Sequence, residues 1–210
     1  ILYASTPLKI YQITSDTIQV LKELPIPERV FDFYPLAIGN KWVYDVTTVS
    51  YDDFPHYYYY ISEKEVLRDS IAPNGKTYRL IKDGISWNEN PLERIDSSTG
   101  LIFRYSDNAE LLENEYLIDD LLANIGDTIK SFRIGYPWSD GYTVFLKDTT
   151  FEKFGLSKPR RIFQQYDLSM PVYSLTEDIG LDSLIYTFDF GYTEYILKGC
   201  IINGVVYGDT

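Results

Sequence analysis

The side chains that could do chemistry in this sequence are few in type, and that scarcity decides much. His56 is the only histidine and Cys200 the only cysteine among 210 residues. A Ser-His-Asp or Cys-His pair would have to be built on His56, which sits between Pro55 and a run of four tyrosines with no nucleophile signature nearby. Gly155-Leu156-Ser157 lacks the second glycine of a nucleophile elbow. One imidazole and one thiol do not close a zinc site of the usual N/S kind. Asp189-Phe190-Gly191 repeats a kinase tripeptide without the glycine-rich loop, strand lysine or catalytic-loop aspartate that kinase chemistry needs. Gly199-Cys200-Ile201-Ile202-Asn203-Gly204 has P-loop glycine spacing but no Lys-Ser/Thr after it, so it reads as a hairpin. The acidic pairs Asp52-Asp53, Asp119-Asp120 and Glu177-Asp178 would serve a glycosidase or a calcium site only if both members faced one cleft. Neighbours in a strand face opposite ways, and no segment follows calcium-loop spacing, so solvated turn residues are expected. No catalytic, metal-ligating or cofactor-binding residue is assigned, and no cofactor is expected.

Tyr57-Tyr58-Tyr59-Tyr60 is the most unusual chemical feature. In a strand, Tyr57 and Tyr59 share one face and Tyr58 and Tyr60 the other, so one pair is expected in the core and one outside. The outer pair is expected to make cross-strand contacts within the sheet. The alternative is that, with Trp87 or Trp138, it stacks on sugar rings or on a partner protein.

The elements that must carry these residues are strands. Aromatics make up 16% of the chain, with 20 tyrosines, and such rings favour half-buried sheet positions. Trp42, Tyr44, Val46 and Thr48 alternate with Val43, Asp45, Thr47 and Val49, the period of a strand with one buried face. Asn74-Gly75 predicts a type I′ hairpin joining a strand that ends near Ile71 to Lys76–Lys82. Ser98-Thr99-Gly100, Asp140-Gly141 and Asn203-Gly204 mark three further turns, so neighbouring strands are antiparallel. Leu111, Ile118, Leu121, Leu122 and Ile125 fall on one helical face ahead of Gly126, which predicts one short helix over 116–124. Residues 1–30 read as a hairpin with Ser15-Asp16 at its turn, then a connector stopped by Pro25 and Pro27. Residues 31–210 read as one antiparallel β domain.

Net charge is −12, with 11 basic against 14 acidic residues in 1–104 and 8 against 17 in 105–210. A surface this acidic repels a phosphate backbone, so nucleic acid is not an expected partner. No stretch approaches the ~20 apolar residues of a spanning helix, so the chain is not expected to be an integral membrane protein. A single cysteine allows no internal disulfide, and a domain of this size does not need one.

Phe33-Tyr34-Pro35-Leu36-Ala37-Ile38-Gly39-Asn40-Lys41-Trp42-Val43-Tyr44 resembles a motif of bacterial exported and lipoprotein-like β domains: aromatic-Pro-Leu-x-x-Gly-Asn-x-Trp-x-Tyr at the head of a long sheet. Gly126-Asp127-Thr128, Ile179-Gly180-Leu181 and the closing segment 197–210 resemble later pieces of the same domains, which often precede a type IX secretion sorting domain. The resemblance implies a secreted or cell-surface location and a strongly curved, half-barrel or barrel-like sheet. It carries no catalytic residue. The fold expected is therefore mainly β with one short helix, and the function a non-catalytic exported module with a binding or structural role in a larger secreted protein. Partners are unknown, a glycan or a protein at the cell surface fitting best. Three alternatives remain: a carbohydrate-binding module using exposed aromatics, a lipid or lipoprotein carrier, and an unrecognised carboxylate-based hydrolase. A concave face lined only by apolar rings would mark the carrier, and two carboxylates facing each other across a pocket would mark the hydrolase.

Overall fold

Alternation of side chains along long strands requires a sheet with an inside and an outside, and the computed structural model shows how this chain closes one. It describes residues 9–13, 18–23, 28–51, 54–85, 90–107, 114–134, 141–167 and 169–210. Strands β1 (Lys9–Ile13) and β2 (Ile18–Glu23) pair antiparallel as a separate two-stranded sheet. The turn expected at Ser15-Asp16 lies outside the described residues.

The remaining strands are β3 (Lys41–Ser50), β4 (His56–Ile71), β5 (Thr77–Asp83), β6 (Leu92–Asp96), β7 (Leu101–Tyr105), β8 (Glu115–Asp120), β9 (Thr128–Ile129), β10 (Tyr142–Lys153), β11 (Leu156–Tyr166), β12 (Val172–Thr176), β13 (Gly180–Phe188), β14 (Gly191–Ile202) and β15 (Val205–Gly208). They form one 13-stranded sheet in the order β8-β7-β6-β5-β4-β3-β14-β13-β12-β11-β10-β9, with β15 on β14, and every pairing is antiparallel. The two ends of this order come back together. The Phe132 amide, just past β9, donates to the Leu117 carbonyl of β8 at 2.9 Å. The sheet is thus a nearly closed barrel.

The inner face follows from register. Trp42, Tyr44 and Val46 on β3 stand opposite Lys64, Ser62 and Tyr60 on β4 and Cys200, Leu197 and Tyr195 on β14. Across the barrel, Phe145, Phe163 and Tyr173 stack face to face over β10, β11 and β12, with centroids 4.9 and 5.2 Å apart. Each of these three rings is almost wholly buried. At about 25 cal/mol per Å² of apolar area, such rings dominate the core's stabilisation.

The expected helix over 116–124 is absent. Residues Glu115–Asp120 are strand β8, and the one helical element described is a 3-10 segment, Glu28–Phe33. The i, i+3, i+4 spacing near Ile118 is local and ambiguous, whereas a strand here pairs along its length with β7 and takes a bond from Phe132 on its other edge. A bulge between Ile102 and Phe103 disturbs the two-residue period there.

The hairpins fall where the glycines predict, with one change of type. Asn203 and Gly204 both take positive φ between Ile202 and Val205, the type I′ geometry. At Asn74-Gly75 only Gly75 is left-handed, and the Gly75 amide donates to Ala72 while Ala72 pairs with Lys76. That is a three-residue loop, not type I′. Ser98-Thr99-Gly100 turns β6 into β7 as expected. Strand β10 begins at Tyr142, but Asp140 lies outside the described residues.

Candidate functional site

Segment 33–44 meets Ile179-Gly180-Leu181 and the last hairpin in one knot. The Trp42 indole donates to the Ile179 carbonyl at 2.5 Å, and the Tyr44 hydroxyl to the Leu181 carbonyl at 2.8 Å. Between those carbonyls, a Cβ on Gly180 would meet Pro35 at 3.1 Å and Trp42 at 3.6 Å. Asn40 donates to the Pro35 carbonyl and accepts from the Asn203 amide of the last hairpin. The motif therefore staples the first long strand to the β12–β13 turn and the β14–β15 hairpin. Its role here is structural.

Beside this knot the barrel encloses charge. Glu93 on β6 accepts from Arg104 on β7 at 2.6 and 3.1 Å and from the Tyr34 hydroxyl at 2.6 Å, and it lies 3.6 Å from Lys64. Lys64 also lies 3.5 Å from Asp83, and Arg133 pairs with Asp119, which accepts from the Tyr173 hydroxyl at 2.6 Å. All six charged side chains are buried, and their formal charges cancel. Burial raises the Glu93 carboxyl, but Lys64, Arg104 and Arg133 outweigh it and hold it far below the usual carboxylate range. A general acid at neutral pH needs the opposite shift.

A cleft of about 630 Å³ opens next to Glu93. Strands β5 and β6 share only two registered pairs, Arg79 with Glu93 and Leu80 with Leu92, so they part at Tyr78 and Arg94. The cleft runs into that split, walled by Phe31 and Tyr34–Ala37. Its charged lining is engaged: Arg79 pairs with Asp69 and donates to the Leu36 carbonyl. Arg94 grips Glu115 through two nitrogens at 2.5 and 2.9 Å. Glu115 also accepts from Lys76 and the Tyr78 hydroxyl. Burial would raise the Glu115 carboxyl, yet hydrogen bonds from Arg94, Lys76 and Tyr78 set it at about 2.

The tyrosine run lies elsewhere, at the end of the barrel where β3 meets β4. Both of its pairs are exposed, which corrects the expectation of one core pair: Tyr57 is 56% exposed, Tyr58 57%, Tyr59 73% and Tyr60 47%. Tyr58 and Tyr60 share the inner face with Thr48, Val46 and Tyr195 by register, but they sit at the sheet's open end. Tyr57 and Tyr59 stack on each other on the outer face, centroids 6.5 Å apart and planes 9° from parallel. The neighbouring β13–β14 hairpin adds Phe188 and Phe190, and the β3–β4 connection adds Tyr51 and Phe54, all exposed. The two hairpin ends are tied by the Tyr51 amide, which donates to the Phe190 carbonyl at 2.6 Å. Desolvation, then Tyr51, Glu194, Tyr57 and Tyr59, push the Tyr192 phenol up, and register places Tyr192, Val49 and Tyr57 in one cross-strand row.

The other residues singled out in the sequence resolve individually. Asp189-Phe190-Gly191 is the β13–β14 turn, and 199–204 is the β14–β15 hairpin. His56 is exposed at the start of β4, opposite Ser50. Cys200 is buried, and burial pushes its thiol up to about 12. Glu177-Asp178 sits in a turn, where Asp178 pairs with Lys158 at 2.5 Å. Asp119 and Asp120 are both buried rather than solvated. Asp119 meets Arg133, and Asp120 accepts from the Leu122 amide. Trp87, Trp138, Asp52 and Asp53 lie outside the described residues.

No protein-family model and no curated protein matches this chain. Among solved structures, it is similar to a candidate lipoprotein from Parabacteroides distasonis, at 11% identity over 80% of this chain and 97% of that one, with a TM-score of 0.39. It is also similar to a candidate exported protein with a YmcC-like fold from Bacteroides fragilis, at 10% identity over 79% and 96%, with a TM-score of 0.37. At such identities and scores, the description of the fold stands on this chain's own topology.

Proposed function

We propose that this chain is a non-catalytic, secreted or cell-surface module of a larger bacterial protein, and that it binds a partner through the aromatic end of its barrel. One observation carries the reading: Tyr51, Phe54, Tyr57, Tyr59, Phe188 and Phe190 are exposed on two hydrogen-bonded hairpin ends, with Tyr58 and Tyr60 exposed on the opposite face of the same end. Rings scattered singly on a surface need no explanation, but a contiguous cluster at one end does. The resemblance of the 33–44 motif to exported β domains supports the location.

The non-catalytic part draws on the cleft. Its carboxylates, Asp69 and Glu93, each sit against an arginine, Arg79 and Arg104, and Glu93 is held ionised. Glycosidase-type chemistry needs one carboxyl kept protonated near neutral pH. The mixed polar and apolar lining also fails the criterion for a lipid carrier, a concavity walled by apolar rings alone.

Hydroxyl-radical footprinting tests the binding face in the full-length secreted product. Tyr57–Tyr60, Phe54 and Phe190 are expected to label less on producing cells than in the purified protein. Equal labelling in both states would overturn the reading.

A further inference from the structure

We infer that the partner of the aromatic end is a cationic, arginine-bearing protein segment. This inference rests on reading that end as the binding face. No Lys or Arg occurs between Lys41 and Lys64, nor between Arg161 and Lys198, the two stretches that build the β3–β4 and β13–β14 ends. Asp189 lies in the β13–β14 turn itself, and Glu194 is within electrostatic reach of Tyr192. The surface therefore offers ring faces and carboxylates with no cation of its own hairpins to compete for them.

That combination discriminates among occupants. An anionic lipid surface or a phosphate backbone would meet acidic groups with nothing to neutralise them. A neutral glycan would gain from the rings and could donate hydroxyls to the carboxylates, but would draw no charge attraction from them. A guanidinium gains from both, because it lies flat on a tyrosine or phenylalanine face while donating to a carboxylate at the rim. The ring arrangement fits an extended segment better than a single sugar. The Tyr57 and Tyr59 planes are nearly parallel at 6.5 Å, too close to admit a third ring between them, and they continue into the neighbouring hairpin through Tyr192.

The test titrates labelled octa-arginine, octa-lysine and octa-glutamate into the whole chain, beside phosphatidylcholine and phosphatidylglycerol vesicles and an array of neutral glycans. Octa-arginine is expected to bind more tightly than octa-lysine, and octa-glutamate not at all. Binding should weaken as salt rises from about 0.05 M to about 0.5 M, where screening shortens the reach of charge. Tyr59→Ser with Phe190→Ser, both at exposed positions, should weaken octa-arginine by about tenfold with thermal unfolding unchanged. If octa-arginine does not bind, or binds that variant as it binds wild type, the inference falls, since attraction to net acidity alone would explain any residue. If a glycan or vesicle binds, is lost in the variant and is not displaced by octa-arginine, the cationic partner falls while the binding face stands. If no probe is sensitive to the variant, both fall.

Discussion

At the scale of single residues, the interior charges behave as a neutral cluster whose members are costly to remove one at a time. Glu93→Ala would leave Arg104 buried without its carboxylate and Lys64 with Asp83 alone, and losing one partner of a buried pair costs about 3–5 kcal/mol. Replacing Glu93 and Arg104 together by leucine and methionine is expected to recover much of that loss in urea unfolding, because the desolvation of both charges disappears with them. Glu115 supplies a pH-dependent counterpart. Its folded value, about 2, lies below the ordinary 4.5, so its contribution is complete above about pH 4.5. That contribution declines as pH falls toward 2, where the folded state takes up the proton too. The stability gap between wild type and Glu115→Gln is therefore expected to be widest near neutrality and to shrink between pH 5 and pH 2 in chemical unfolding followed by fluorescence. A gap independent of pH in that window would show that Arg94 and Lys76 do not act on the Glu115 charge.

At the scale of elements, two glycines in hairpins separate two kinds of cost. Gly204 has φ +80° with nothing within 4 Å of where a Cβ would stand, so Gly204→Ala should cost only backbone strain, about 1–2 kcal/mol. Gly191 has ordinary φ, but a Cβ there would collide with the Val49 carbonyl and the Phe188 ring. Gly191→Ala should therefore force β3 and β14 apart and cost more than Gly204→Ala in thermal unfolding, and it should also alter the fluorescence of the tyrosines nearby. This contrast also marks what could be read in advance. Turn dipeptides with Gly at the second position are local, so Asn203-Gly204 and Ser98-Thr99-Gly100 were legible. The β10–β11 turn at Phe154-Gly155 was not, because Phe154 takes φ +57° although bulky residues rarely do. The buried cluster was hidden for a different reason. Lys64 shares the face of Val66 by simple alternation, but only long-range pairing brings Asp83, Glu93 and Arg104 to meet it. For the tyrosine run, alternation separated the two faces correctly and could not say that the core ends before reaching Tyr58 and Tyr60.

At the scale of the whole molecule, the open question is what keeps the long sheet curled. Its neighbouring strands are held by ladders, but among the described residues the seam between β8 and the segment after β9 carries the single Leu117–Phe132 backbone bond and the side chains around it. Arg133 is the main clasp. It pairs with Asp119 of β8, its guanidinium lies 5.1 Å from the Tyr34 ring and 5.0 Å from the Tyr173 ring, and its backbone amide donates to Gln165 of β11. Arg133→Met keeps much of the volume and removes the charge, leaving Asp119 with the Tyr173 hydroxyl but no cation. Amide hydrogen exchange is expected to accelerate in 115–120 and 128–134 by at least about tenfold, as local opening separates from global unfolding, while β3 and β14 at the barrel's centre keep their protection. Adding Asp119→Leu should restore much of the seam's protection, since the stranded carboxylate is then gone. Uniform acceleration across every strand would mean that the seam and the ladders form a single cooperative unit, and that closure is not held by this pair.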